Sequence, residues 1–405
     1  MFPAATTPPK LSTLILLTAL SVLSLNMFLP SLANMAEDFA VDYALVSLSI
    51  AGYLALTSVL QVIMGPLSDR YGRRPILLIG LFIFAIASLV CALATDIWVF
   101  LAFRVLQGAI ISGAALTRAV IRDMAPEREA ASMMGYVGMV MAIAPMLGPA
   151  FGGLLDEMFG WRASFYVFFV FGLMILALCW ADLGETNVAR SDTIRGQFRT
   201  YPELFGSRRF WAYTLCMTMS TGAFYTFLAG APLVASQSFA MSPAVLGIVI
   251  GTITAGFMFG SFLSGRYARR FKTTTMMLAG RVVASAGLAV GIVLVLFGVV
   301  HPVTLFGATI CVGIGNGLTM PSATAGALSV RPGLAGSASG LSGALGVLGG
   351  AVLTTLTGSL VTLGAGPLGL LVIMILCTLT GLAATLYIAR LDRIDPRPSE
   401  VPVTP

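Results

Sequence analysis

The chain has 405 residues, of which 58% are hydrophobic and 10% charged, with mean hydropathy +0.95 and a formal net charge of +6. An ordinary soluble domain carries about 25% charged residues, so this chain has too few charges to coat soluble domains. A soluble enzyme, a disordered chain and a nucleic-acid reader are excluded, and the composition places the chain in a lipid bilayer.

A helix needs about 20 residues to cross the hydrocarbon layer. Apolar stretches of that length lie near 11–33, 44–66, 76–95, 98–119, 131–155 and 161–182. After a polar interval they resume near 209–233, 243–264, 274–298, 302–327, 337–363 and 366–389. The expected fold is therefore all-α and integral to the membrane, with twelve transmembrane helices. The run after Lys10 has no convincing cleavage site and reads as a retained first span. Many glycines and prolines fall inside these runs, as they do in membrane helices. The five cysteines are scattered with no metal spacing and read as small buried hydrophobes. No metal site and no cofactor are expected.

Charge placement supports the count. With the amino terminus cytoplasmic, the inside loops carry Arg70, Arg73, Arg74, Arg118, Arg122, Arg128, Arg266, Arg269, Arg270 and Lys272. The outside loops hold Glu37, Asp38, Asp42, Asp96, Asp156 and Glu157, with Arg162 the only basic residue near that face. This is the positive-inside pattern, and it places both termini in the cytoplasm. The expected organisation is a six-helix bundle over 1–182, a cytoplasmic linker over 183–208, a second six-helix bundle over 209–390 and a tail over 391–405.

Between spans two and three stands GPLSDRYGRRP, Gly65 to Pro75; between spans eight and nine stands SGRYARRF, Ser264 to Phe271. Aligning RYGRR with RYARR sets Arg70, Arg73 and Arg74 opposite Arg266, Arg269 and Arg270. A repeat at the same loop of both halves points to pseudo-symmetric bundles. Gly65 and Gly72 suit a close backbone approach or a positive φ, and Pro75 suits the first turn of span three. Asp69, a carboxylate in a basic loop, reads as a conformational latch, while Arg74 reads as a topology anchor.

Three further segments carry polar or bending residues inside spans. In span four, Arg104 lies below the outer end, with Gln107 and Ile111 on the same helical face. An arginine at that depth faces the protein interior or a watery cavity, or snorkels to the surface. In span five, Gly148, Pro149, Gly152 and Gly153 combine a bend with small residues at spacing four, which permits close packing. Span one carries LNMFLP from Asn26 to Pro30, and no acidic residue falls in the middle of any span. Asp123, beside Arg122, forms a candidate charge network near the inner face. His301 reads as a loop residue at the outer rim.

These motifs resemble the major facilitator superfamily and, within it, the Bcr/CflA-type drug-resistance efflux transporters, over about residues 11–390. The loop Gly65–Pro75 matches the superfamily's loop motif, Arg104 with Gln107–Gly108 resembles its span-four motif, and Gly148–Pro149 with Gly152 resembles its antiporter motif. The resemblance implies proton-coupled, alternating-access efflux of small amphipathic drugs or antibiotics by a monomer in the cytoplasmic membrane. It implies that the latch joins helices of opposite halves, through Gly65, Asp69, Arg70, Gly72 and Arg73 with Arg266 and Arg269. It implies a cavity lined from spans 1, 4, 7 and 10 by Asn26, Met27, Arg104, Gln107, Phe224, Tyr225, Phe227, Asn316 and Met320. The family often has aspartate where this chain has Asn26. That weakens proton coupling. It also leaves a buried Arg104, expected as the central polar residue of the cavity, without that counter-charge, which favours neutral or weakly anionic substrates over cations. No Gly-rich segment with Lys-Ser or Lys-Thr is present, so the chain itself binds no ATP. An exporter of a sugar or other metabolite, an importer, and a non-transporting receptor or scaffold are the other readings of the same fold.

Overall fold

A computed structural model describes residues 9–124, 127–187, 201–267, 270–331, 335–360 and 366–394. Every regular element among the described residues is a helix. Helix α1 (Leu11–Asn26) passes through a 3₁₀ turn at Leu29–Ser31, where Pro30 cannot continue the α-helical ladder, into α2 (Leu32–Asp38). Then follow α3 (Tyr43–Tyr71), α4 (Arg73–Leu93), α5 (Ile97–Leu106), a 3₁₀ turn at Gln107–Ile110, α6 (Ile111–Met124), α7 (Glu127–Phe159) and α8 (Arg162–Asp182). Past the segment 188–200 come α9 (Tyr201–Phe205), α10 (Arg208–Phe239), α11 (Pro243–Tyr267), α12 (Thr273–Leu296), α13 (Pro302–Ser329), α14 (Ala335–Leu360) and α15 (Gly366–Ile394).

Among the described residues, ten helices are long and apolar enough to cross a membrane. Two of the expected stretches fall outside that set. The stretch 98–119 is divided by its 3₁₀ turn, so only Ile97–Ile110 forms a short apolar helix. The stretch 209–233 lies in α10, which is long enough but too polar. The physical reason is that α10 is an interior helix. Thr214, Ser220 and Thr226 are buried, and it packs against α13, α14 and α15. A helix sheathed by protein does not need the all-round apolar surface that lipid demands.

Both described chain ends lie on one face. The Lys10 amide donates to Asp182 Oδ2 at 2.8 Å, joining the start of α1 to the end of α8. Arg209 donates to the Leu391 carbonyl at 3.0 Å, joining the start of α10 to the end of α15. Helix α14 runs antiparallel to α3, with Gly343 against Gln61 and Gly358 against Ser47. Leu204 and Phe210 share a small core with Ala338 and Leu341, which brings the starts of α10 and α14 together. We refer to this as the terminal face.

At the far face the helices before and after residues 188–200 close tightly. A Cβ on Gly153 of α7 would collide with the Pro243 carbonyl, and one on Gly247 of α11 with the Pro149 carbonyl. Tyr43 donates its hydroxyl to the Ala229 carbonyl at 2.6 Å across the same level. Toward the terminal face Gly138 of α7, Gly265 of α11 and Gly340 of α14 have nothing within 4 Å of where a Cβ would stand. The two parts of the chain thus meet in backbone contact at the far face, while these three glycines have open space beside them.

Candidate functional site: the α3–α4 junction, two buried arginines and an interhelical cavity

The expected loop Gly65–Pro75 is almost entirely helical. Helix α3 runs to Tyr71 and α4 starts at Arg73, so Gly72 alone turns the chain. Its φ of +102° favours glycine, and a Cβ there would also strike the Glu185 carboxylate. Glu185 Oε1 accepts the Arg73 amide at 2.8 Å and the Asn187 amide at 3.0 Å, and Oε2 accepts the Arg74 amide at 3.3 Å. A carboxylate at the start of α4 satisfies amides that have no partner within the helix and opposes the positive end of its dipole.

Arg73 is 4% exposed. Its Nε lies 3.1 Å from Asp123 Oδ2 at the end of α6, and its Nη1 donates to Ser68 Oγ. The expected network therefore has Asp123 paired with Arg73. Arg74 donates to the Trp180 carbonyl at 2.9 Å and stacks on the Trp180 ring at 5.3 Å, so it packs as well as carrying charge. Arg70 lies over Tyr71 at 5.3 Å, and Arg266 is exposed in the last turn of α11. Arg269 and the side-chain placements of Gly65, Asp69 and Arg122 lie outside the described residues.

Arg104 is fully enclosed within the first half. Its Nη1 donates to Gln107 Oε1 at 2.5 Å and its Nη2 to the Ser24 carbonyl at 2.8 Å. Gln107 passes the chain on to Ser88 Oγ at 2.7 Å. The guanidinium lies 4.1 Å from the Phe28 ring centroid, 4.6 Å from Tyr53 and 5.9 Å from Phe165. Aromatic faces attract a cation, so rings and a carbonyl take the place of a counter-ion.

Asn26, expected to leave Arg104 without a counter-charge, turns away from it. Asn26 donates to the Val22 carbonyl at 2.8 Å, and its Cβ lies 3.6 Å from where a Cβ on Gly148 would stand. Two residues along an α-helix point about 200° apart. The turn that aims Ser24 at Arg104 therefore aims Asn26 at α7. In span five, Gly148 faces Leu23 and Asn26, Gly152 lies against the Met27 carbonyl, and Gly153 and Pro149 form the contact with α11.

A cavity of about 200 Å³ lies between α7, α10, α11 and α13. Met141, Ser220, Phe224, Thr254, Asn316 and Met320 are among its walls. The structure thus brings together Phe224, Asn316 and Met320 of the expected lining. Tyr225 turns instead to Gly350 of α14, and Phe227 packs on Phe306 with centroids 6.1 Å apart. Both sit on the α10 faces that meet neighbouring helices.

Behind Asn316 stands Arg281 of α12, a residue the sequence reading passed over. It is fully buried. Its Nη2 donates to Asn316 Oδ1 at 2.6 Å and its Nε to Thr319 Oγ1 at 3.0 Å. Asn316 Nδ2 donates to the Ser220 carbonyl at 3.0 Å. The signal was available, since an arginine in the middle of the stretch 274–298 is a functional candidate by depth alone. Glu185 was also missed, being counted only as part of the linker over 183–208.

A model of the Major Facilitator Superfamily matches residues 14–354. The chain belongs to the Major Facilitator Superfamily. It is a membrane transporter of a family that is not catalytic. It is 31% identical over 350 residues to the "Uncharacterized MFS-type transporter YdgK" of Bacillus subtilis, covering 85% of this chain and 87% of that one. It is 32% identical over 364 residues to "Multidrug resistance protein D" of Escherichia coli, covering 87% and 89%. In fold it is similar to a bacterial homologue of the human lysosomal transporter Spinster, solved inward-facing and occupied. The TM-score is 0.77 at 16% identity, over 96% of this chain and 98% of that one. The resemblance inferred from the motifs holds for the superfamily and for a likeness to multidrug-resistance transporters.

Proposed function

We propose that this transporter is a secondary active exporter of small amphipathic molecules, driven by exchange for protons through alternating access. The reading takes the chain as twelve spans in two six-helix bundles, 1–182 and 209–390, with the terminal face in the cytoplasm and 183–208 as the linker. In this reading α10 and the α5–α6 pair are interior spans. The observation that carries the proposal is the backbone contact of Gly153 with Pro243 and of Gly247 with Pro149. It shuts the far end of the molecule while the inner glycines of the same helices stand free. The conformation is then the one that loads substrate from the cytoplasm.

The latch belongs to the other half of the cycle. With Arg73, Asp123 and Glu185 holding the α3–α4 junction rigid, Gly65, Asp69 and Arg70 meet Arg266 and Arg269 when the cytoplasmic side closes. Likeness to a multidrug-resistance protein favours drug-like cargo, and the soft Met and Phe walls of the cavity adapt to varied shapes. The test is flux in proteoliposomes: a dye or antibiotic should move against its gradient when a proton gradient is imposed, and should stop when the gradient is collapsed. Uphill flux that persists at the same rate after the proton gradient is collapsed would remove proton exchange.

A further inference from the structure

We infer that Arg281 makes the interhelical cavity an anion-selective site, projecting its charge through Asn316 onto substrates that carry a carboxylate or another electron-rich acceptor. The inference rests on the exporter reading for its biological meaning, but its physical basis is separate. Arg281 is a fully buried cation whose Nη1 has no hydrogen-bond partner among the described residues. The sequence contains no Asp or Glu between Glu203 and Asp392, and Asp392 lies beside Arg209 at the end of α15. In the first half, Asp123 is held by Arg73 and Asp156 accepts from Asn34 at 2.8 Å, and neither lines the cavity.

The other buried arginine, Arg104, also bonds only neutral oxygens and leaves its Nε without a partner among the described residues, but aromatic rings cover its charged plane. It lies over three aromatic rings, whereas the partners of Arg281 are the neutral oxygens of Asn316 and Thr319. A buried charge that lacks its counter-ion is costly, and an incoming anion relieves that cost. The path from the charge to the cavity is short. Arg281 occupies Asn316 Oδ1, which polarises the amide and orients Nδ2 as a donor. One amide hydrogen goes to the Ser220 carbonyl, and a primary amide has a second to give. On the adjoining helix α11, Thr254 is also in the lining; it is 5% exposed and its Oγ1 has no partner among the described residues. The two groups are polar points in a largely apolar lining that includes Met141, Phe224, Phe257 and Met320, suited to an aromatic body with one acceptor group.

Arg281 acts here through Asn316 and is a positioning residue, so the test reads charge selectivity as well as affinity. The full-length protein in lipid nanodiscs is titrated with 4-nitrobenzoate and with phenyltrimethylammonium, two aromatic probes of similar size and opposite charge. The wild type should prefer the anion. Asn316→Asp keeps the side-chain shape but supplies Arg281 with its counter-charge. It should weaken 4-nitrobenzoate about tenfold and bring the two probes level or reverse them. Arg281→Gln should do the same, and Arg281→Lys should retain the anion preference. A wild type that favours the cation, or an Asn316→Asp protein with unchanged preference, overturns the inference. Flux of the same probes in proteoliposomes is a separate arm. Charge-dependent binding without gradient-driven flux sinks the exporter reading and leaves the site standing.

Discussion

Arg73 Nε stands 3.1 Å from Asp123 Oδ2, joining the first residue of α4 to the last turn of α6 beneath a single-residue turn. Arg73 is almost wholly buried and the Asp123 side chain is 20% exposed, so the guanidinium side of the pair sits where charge matters to packing. Replacing Asp123 with Asn removes the charge that faces a buried guanidinium. A hydrogen bond to a charged group contributes about 2 kcal/mol. The Asp123→Asn protein should lose that order of stability in thermal unfolding and should cycle slowly. An unchanged melting temperature together with normal flux would show the pair to be incidental.

Gly72 is constrained twice, by its φ of +102° and by the Glu185 carboxylate lying where a Cβ would go. Left-handed backbone at a non-glycine residue costs about 1–3 kcal/mol. Gly72→Ala should therefore destabilise the protein, and part of the loss should return when Glu185 is also shortened to Ala. Residues in contact give non-additive changes, so the double-mutant cycle in thermal unfolding is the measurement. Strict additivity would mean that the Glu185 contact is not what excludes a side chain at Gly72.

The contact between α7 and α11 makes a positional prediction. Gly153→Leu and Gly247→Leu place bulk against the carbonyls of Pro243 and Pro149, while Gly138→Leu points into open space on the same helix. Overpacking a tight contact costs about 1–3 kcal/mol, enough to bias a two-state cycle away from the closed far face. The first two variants should raise labelling of a cysteine at Ser47, beside Gly358, by an impermeant thiol reagent applied at the far face. Gly138→Leu should not. Equal labelling in all three would mean that these glycines do not set the far-face closure.

Much of this architecture could be read from the chain because bilayer physics acts locally on it. Apolar run length gave most of the helices, and the glycines of span five announced a close contact. What the sequence concealed were relations that depend on helix rotation and on enclosure. Asn26 and Ser24 stand two positions apart and face different helices, so the residue type at position 26 could not show that the Ser24 carbonyl meets Arg104. Helix α10 is polar because protein surrounds it, which a count of apolar stretches cannot register. Glu185 lies beyond the end of α8, yet it folds back onto the start of α4. Arg281 was hidden by its setting, a lone charge in an apolar run whose importance shows only once Asn316 and the cavity are in place.

The two buried arginines yield the final prediction. Arg104 uses both terminal nitrogens in fixed directions, to Gln107 and the Ser24 carbonyl, and presents its planar face to Phe28 and Tyr53. Lysine keeps the charge but has neither the planar fork nor the face that stacks. Arg104→Lys should therefore leave Gln107 or Ser24 without its donor, lower thermal stability by about 1–3 kcal/mol, and impair transport of every substrate alike. Arg281 engages two neutral oxygens beside the cavity, and Arg281→Lys retains the charge that the cavity uses. It should keep the preference among substrates even where the overall rate falls. Comparing thermal stability and relative transport of two oppositely charged probes in both variants separates the roles. If Arg104→Lys alters which probe is preferred while stability holds, Arg104 belongs to the binding site and not to the frame around it.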